Sequence, residues 1–256
     1  MAFDKIRFRF CKSGDLRFLS HLDLMRAFER MIRRADLPIK STQGFHPAPR
    51  LVVPLSLSLG IVGWNEILEA EFTTPLDPQE VLQKLQAQQP PGLYLSSATG
   101  IPMKSTARIR RAFYRVDLPS EQTVPDASIE DWLANSEYWV YRKRPKEKLL
   151  NIRPYVEQIT PTTAGFECSI WITPEGTTRI DEIAKAFGLG NILQQGWDVN
   201  RTDLEVTDEL DPTVLHLTPT ILPETRPVSG EWREEEYQWK QTGIVWGATS
   251  NGPIVE

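Results

Sequence analysis

Apolar and polar residues alternate from Lys5 to Cys11, with Ile6, Phe8 and Phe10 on one side and Lys5, Arg7 and Arg9 on the other. That period of two predicts a half-buried strand with a cationic face. Ser13-Gly14-Asp15 predicts a turn. Ser20 with Asp23 three residues on has capping-box spacing, so a helix starts near His21. Leu22, Met25, Phe28, Ile32 and Ala35 recur at helical spacing as its buried stripe. Arg26, Arg30 and Arg33 share its other side. Asp36 and Pro38 end it. Gln43-Gly44-Phe45-His46-Pro47-Ala48-Pro49 continues neither a helix nor a central strand: its prolines lack donors and Gly44 permits a positive φ.

Alternation resumes from Leu51 to Leu59, and Pro54 argues for an edge position. Glu66 to Phe72 is the next strand. Asp77 as N-cap and Pro78 at the first helical position open a second helix, with Val81, Leu82 and Leu85 on its apolar side. Leu93 to Ala98 is a further strand. Residues 101–111 form a linker carrying Lys104, Arg108, Arg110 and Arg111. The pattern then repeats in outline: strand Ala112 to Leu118, helix Ser128 to Ala134, strand Tyr138 to Lys143, a basic turn Arg142 to Lys148, strand Gly165 to Thr173, helix Thr178 to Phe187 and strand Trp197 to Val206. Asn151 to Ile159 is an extra segment, irregular or extended.

The order βαββαβ is the ferredoxin-like motif. The expectation is an α+β chain of two tandem ferredoxin-like units, residues 1–100 and 112–206. An acidic tail, residues 207–256, is expected to attach loosely through Trp232, Tyr237, Trp239 and Trp246. In this topology the helices cover one sheet face. Arg7 and Arg9 then lie on the other, near Glu69 and Glu71, because the first and third strands are neighbours. Two readings of the strand cations stand open: cross-strand ion pairs, or a surface for a polyanion.

A chain of 256 residues holds one large or two small domains. It has no apolar run of the roughly 18–20 residues that a membrane helix needs. MAFDKIRF does not read as a signal peptide, and Cys11 and Cys168 suggest a reducing compartment. A cytoplasmic protein with no membrane contact is expected. The formal net charge is −5, but from Asp203 onward there are 11 acids against 3 bases. That leaves 26 bases and 23 acids before it. A mildly basic body with an acidic tail is compatible with nucleic-acid binding by the body, and equally with a solvated tail on an ordinary soluble protein.

Metal, radical and nucleotide chemistry lack their usual motifs: there is no C-x3-C-x2-C, no G-x-G-x-x-G and no Walker loop. No cofactor and no metal are expected. Imidazole as a side-chain type exchanges protons near neutral pH, so His21 and His46 would suit a metal-independent ribonuclease as base and acid. Lys12, Arg17 or Arg50 would hold the phosphate in that reading. The bland readings are that His21 packs or caps and that His46 stacks beside Pro47. The Gln43–Arg50 loop suits a backbone-phosphate site or a purely architectural crossing. Phe18 and Phe45 flank basic residues, where they would stack bases or enter a core.

The run F-C-K-S-G-D-L-R-F-L-S-H-L-D-L-M-R-A-F-E-R, then Q-G-F-H-P-A-P-R and the L-x-L-x-L-G strand, closely resembles the radical-SAM-linked family of unknown function. Members occur as C-terminal domains of radical SAM proteins with a cobalamin-binding-type module, or as separate proteins beside one. The resemblance covers about residues 4–200. It implies a radical SAM protein as partner and carries over no catalytic residue. It also implies asparagine as a common alternative at His46, which argues against a catalytic base there. A looser likeness, of element order and of the SHLDLMRAFER helix, is to the RNA-processing endonucleases of CRISPR systems.

The expectation drawn from all this is an accessory domain that presents RNA, such as tRNA or ribosomal RNA, to a radical SAM enzyme. Its contacts would be Arg7, Arg9, Lys12, Arg17, Arg26, Arg30, Arg33, Arg50, Arg108, Arg110 and Arg111. Gln43, Gly44, Phe45 and His46 would fix the register. The alternatives are the ribonuclease and a protein-interaction module for the radical SAM partner without RNA contact.

Overall fold

The computed structural model describes residues 1–124, 126–143, 146–215 and 218–226. The aromatic docking expected of Trp232, Tyr237, Trp239 and Trp246 lies outside the described residues, as do Arg144 and Pro145 of the basic turn. The chain forms a mixed α+β structure around one large, mostly antiparallel sheet.

In the first half, β1 (Phe3–Lys12) is followed by α1 (His21–Arg34), β2 (Leu51–Val52), β3 (Val62–Leu76), α2 (Pro78–Gln86) and β4 (Leu93–Gly100). The Ser20 side chain accepts the Asp23 N–H at 3.2 Å, which starts α1 where the capping box placed it. The buried stripe of α1 is Leu24, Ala27, Phe28, Met31 and Ile32. The expected stripe was rotated by part of a turn: Leu22 is 66% exposed. Phe28 meets Phe10 of β1 edge-on at 5.0 Å and pins the helix to the sheet. The Asp77 side chain accepts the N–H groups of Gln79 and Glu80 and caps α2.

The long strand expected from Leu51 to Leu59 is corrected to the two residues of β2, paired only with β3. After Val52 the chain leaves the edge. Leu57 packs in the core of the second half, Leu55 against Ile67 and Ala112. Tertiary burial thus overrides the alternation.

The second half contains β5 (Ile109–Asp117), α3 (Asp126–Ala134), β6 (Trp139–Arg142), β7 (Lys148–Asn151), β8 (Val156–Thr162), β9 (Gly165–Trp171), α4 (Ile180–Ala186) and β10 (Asp198–Val206). The extra segment Asn151 to Ile159 holds the last residue of β7, a 3-10 turn at Arg153–Tyr155 and the first part of β8, which joins the large sheet. The expected strand from Tyr138 becomes β6, paired with β7 apart from that sheet. Phe187, just after α4, packs on Phe166 at 5.7 Å and on Trp132 of α3 at 6.0 Å.

The large sheet runs β4-β1-β3-β10-β5-β9-β8, with β2 at the side of β3. The halves meet where β3 and β10 pair in parallel over just two residue pairs, Asn200↔Val62 and Arg201↔Gly63. Beside that seam, Arg201 is 2% exposed. Its Nε lies 2.8 Å from Glu66 Oε1, and its Nη2 donates to the Leu55 carbonyl oxygen at 2.9 Å.

Of the expected tail, described residues 207–215 and 218–226 make contacts with the body. A short turn at Thr207–Glu209 lies against β1, α5 (Pro212–Leu215) follows, and β11 (Thr225–Arg226) pairs with β7. Ile221 is buried in the core of the second half. The Arg226 guanidinium sits 3.9 Å from the Trp139 ring centroid.

Glu66→Ala leaves a buried Arg201 without its counter-ion. Urea denaturation of this variant is expected to show a loss of about 3–5 kcal/mol. The double variant Glu66→Leu, Arg201→Met is expected to recover most of that loss. A single-variant loss below about 1 kcal/mol would show that the seam does not depend on the pair.

Candidate interaction surface

The expected cationic residues separate into two classes once folded. Arg7, Lys12 and Arg110 are interior residues, 4%, 1% and 6% exposed. The face of β1 expected to be open is covered by the linker and by the Thr207–Glu209 turn. Glu69, opposite Arg7 on β3, is the hub. Its Oε1 accepts from Arg7 Nη2 at 2.9 Å and from the Ala107 N–H at 2.8 Å, while Lys5 Nζ lies 3.0 Å from Oε2. Arg7 also binds Asp208 at 2.8 Å and Glu209 at 2.8 Å. Arg9 pairs with Glu209 and donates to the Leu204 carbonyl oxygen. The ion-pair reading of these strand cations therefore describes Arg7 and Glu69. Glu71 instead lies 3.6 Å from both Lys40 and Arg50.

Lys12 points its ammonium at the carbonyl oxygens of Arg17 and Leu19. Burial pushes its amine below the usual range, with Glu66 opposing. Arg110 and Arg111 share Glu205, and both guanidinium groups lie over the Trp171 ring. Burial alone would raise the Glu205 carboxyl, but hydrogen bonds from Arg111 and Arg110 outweigh it and hold the group below its ordinary value.

What stays on the surface is narrower. Arg26, Arg30 and Arg33 are exposed on α1. Arg26 pairs with Asp23 and Arg33 with Glu29, both contacts within the helix. Such exposed pairs are weak and readily exchanged for a ligand. Arg17 lies 4.8 Å over the ring of the exposed Phe18. Lys104 and Arg108 are exposed around a basin of about 310 Å³ that Thr207 and Asp208 also line.

The Gln43–Arg50 loop is a closed-neck tongue. Lys40 donates its N–H to the Glu71 carbonyl oxygen, Glu71 donates to Arg50, and Arg50 donates to Lys40 at 2.7 Å. Beyond this neck, Ser41 pairs with Pro49, and the Thr42 N–H donates to the Ala48 carbonyl oxygen at 2.8 Å. Gln43, Gly44, Phe45 and His46 form the exposed tip, with Gly44 at φ 137° and Phe45 fully exposed. The prolines and Gly44 thus build a projection that carries an unburied aromatic ring. Helix α1 ends at Arg34, six residues before Lys40 of the neck.

A family described as an uncharacterized protein conserved in bacteria (DUF2344) matches residues 5–182. The chain belongs to this family. No curated protein matches it. The match takes in the tongue, the Arg face of α1 and the buried hub, and it ends within α4.

His21 and His46 are both exposed, and among the described residues neither side chain forms a hydrogen bond or an ion pair. Neither lines the cavity at Arg111 and Glu157, the basin at Lys104 and Arg108 or the cavity at Phe18 and Asp181. No group of three or more metal-ligating side chains is present among the described residues, and no helix there is long and apolar enough to cross a membrane. Sequence reasoning missed Asp181, Asn191 and Gln194, which fold against Phe18 and Leu59 in one cavity. No local motif marks them, because their meeting depends on how the halves pack.

Two outcomes test this division. Arg7→Ala is expected to cost about 1.5–3 kcal/mol in denaturant unfolding, because it removes one of the two cations on the buried Glu69 and the charged hydrogen bonds to Asp208 and Glu209. Arg30→Ala is expected to stay within about 0.5 kcal/mol. Equal effects would refute it. The Glu205 group, with a depressed folded value, supports stability above its unfolded value of about 4.3 and loses that support as pH falls through the folded value. Glu205→Gln is therefore expected to flatten the acid limb of a stability-against-pH curve below about pH 4.3, and an unchanged limb would contradict this.

Proposed function

We propose that this chain is an accessory RNA-binding domain that presents RNA to a radical SAM enzyme in the cytoplasm. The observation that carries the reading is the tongue, with an exposed Phe45 at its tip and Lys40 and Arg50 at its neck, together with a second exposed cationic feature, the Arg26/Arg30/Arg33 face of α1. An aromatic ring among cations suits single-stranded RNA, which offers unstacked bases and phosphates together. The radical SAM partner rests on the resemblance of the opening 60 residues to the family so linked. In each half, the strands stand in the order last, first, third, second, counting β6 and β7 as an insertion. We read both halves as ferredoxin-like units on that ground.

One observation favours a second reading, a protein-interaction module without RNA contact. Phe18, Leu22 and Leu59 are 55%, 66% and 55% exposed, in or near the distinctive opening run. Co-purification with the radical SAM protein after nuclease treatment would distinguish this reading from the first.

The test of RNA binding is fluorescence anisotropy with tRNA and with ribosomal RNA fragments across a salt series. Micromolar affinity at low salt, weakening with salt, is expected. Reversing Arg26, Arg30 and Arg33 to Glu together is expected to weaken binding at least about tenfold and to flatten the salt slope. Phe45→Ala is expected to cost about 1–3 kcal/mol of binding with the salt slope kept. No micromolar binding at low salt would remove the proposal.

A further inference from the structure

A cavity of about 340 Å³ opens between the two halves. Phe18 and Leu59 line it from one half, and Asp181, Asn191, Leu193 and Gln194 from the other. Its first wall is held in place: Gly60 has φ 84° and donates its N–H to the Arg17 carbonyl oxygen at 3.0 Å. A Cβ on Gly60 would touch the edge of the Phe18 ring at 3.9 Å.

The Asp181 carboxylate is half-buried and, among the described residues, accepts from its own backbone N–H but forms no ion pair. Burial pushes its carboxyl above the ordinary value, and neighbouring Glu182 adds to this. The Asp181 backbone N–H, Arg179 and Lys185 oppose the shift. Beside it, Asn191 Oδ1 accepts the Gln194 backbone N–H at 3.2 Å and keeps a second lone pair. Among the described residues that line this cavity, Asp181 alone is charged, and it is set next to an exposed aromatic ring and two leucines. A phosphate would meet the carboxylate and be repelled. A donor-rich cation on an apolar stem meets a counter-ion, amide oxygens and apolar walls together.

We propose that this cavity binds an organic cation, a guanidinium or ammonium group on a short apolar stem, with Asp181 as its counter-ion and Phe18 against the stem. The cation is either a free amine or a Lys or Arg side chain offered by a partner protein. Leu22, exposed on the first turn of α1 after Phe18, would add contact only for the second source. The site is separate from the tongue and does not rest on the RNA reading.

The test is a titration of the full chain with agmatine, followed by the NMR signals of the Asn191 and Gln194 side-chain amides. Saturable shifts are expected. Asp181→Asn is expected to weaken binding at least about tenfold, with thermal unfolding confirming that the variant folds. Phe18→Ala, which removes the apolar wall that meets the stem, is expected to weaken it about two- to fivefold. The absence of saturable shifts, unchanged affinity in folded Asp181→Asn, or the same shifts from inorganic phosphate would overturn the proposal. A capped Leu-Ala-Arg-Ala-Leu peptide separates the sources. If it binds more tightly than agmatine, and Leu22→Ala weakens the peptide alone, the ligand is a partner's side chain. If it binds no better, the ligand is a free amine. Affinity for tRNA is expected to be unchanged in the Asp181 variant, so failure here leaves the RNA reading standing.

Discussion

The Glu66–Arg201 pair is the interaction on which the shape of this chain depends. The large sheet is continuous, yet its two halves share only two residue pairs at β3 and β10. So short a parallel ladder contributes few hydrogen bonds. Arg201 reaches across it from β10 to Glu66 on β3 and to the carbonyl oxygens of Leu55 and Ser56. Each group is desolvated, so each needs the other, and the geometry that satisfies both is the geometry of the seam. Trp64 Nε1 to Asn200 at 2.8 Å and Asn65 to Asp203 at 2.7 Å extend the same stitching along β3.

A second polar assembly covers β1. Glu69 receives Arg7, Lys5 and the Ala107 N–H, and the Thr207–Glu209 turn closes over Arg7 and Arg9. Its consequence for function is subtractive. Charges that look like a polyanion surface in the sequence become internal struts, and the available cations contract to the α1 face, the tongue and the linker. The acidic composition after Asp203 has a structural use at Asp208 and Glu209, which pair with the strand cations.

Much of the fold was legible locally. The period-two run of β1, the Ser20 capping box and the Asp77-Pro78 start of α2 are determined within a few residues, and each element stands where that chemistry puts it. Other features were misread because a neighbour decided them. The alternation of Leu51 to Leu59 is that of a strand, but Leu55 and Leu57 serve two different cores. Leu22 fits a helical stripe, yet Leu24, Met31 and Ala27 fill the space above the sheet. Of the surface features, the tongue was legible because Gly44 and the prolines exclude regular structure. The cavity beneath Phe18 was not, since Asp181 and Phe18 are far apart in the chain.

The sequence by itself determined the kinds of element, their order and the exposed, Gly- and Pro-bearing tongue, because backbone propensity, capping and periodicity act over a few residues. Only the tertiary structure decided which cations are free. An arginine on a strand looks the same whether water or a carboxylate will face it. That choice is made by Asp208 and Glu209, some two hundred residues beyond Arg7, when they fold back onto β1.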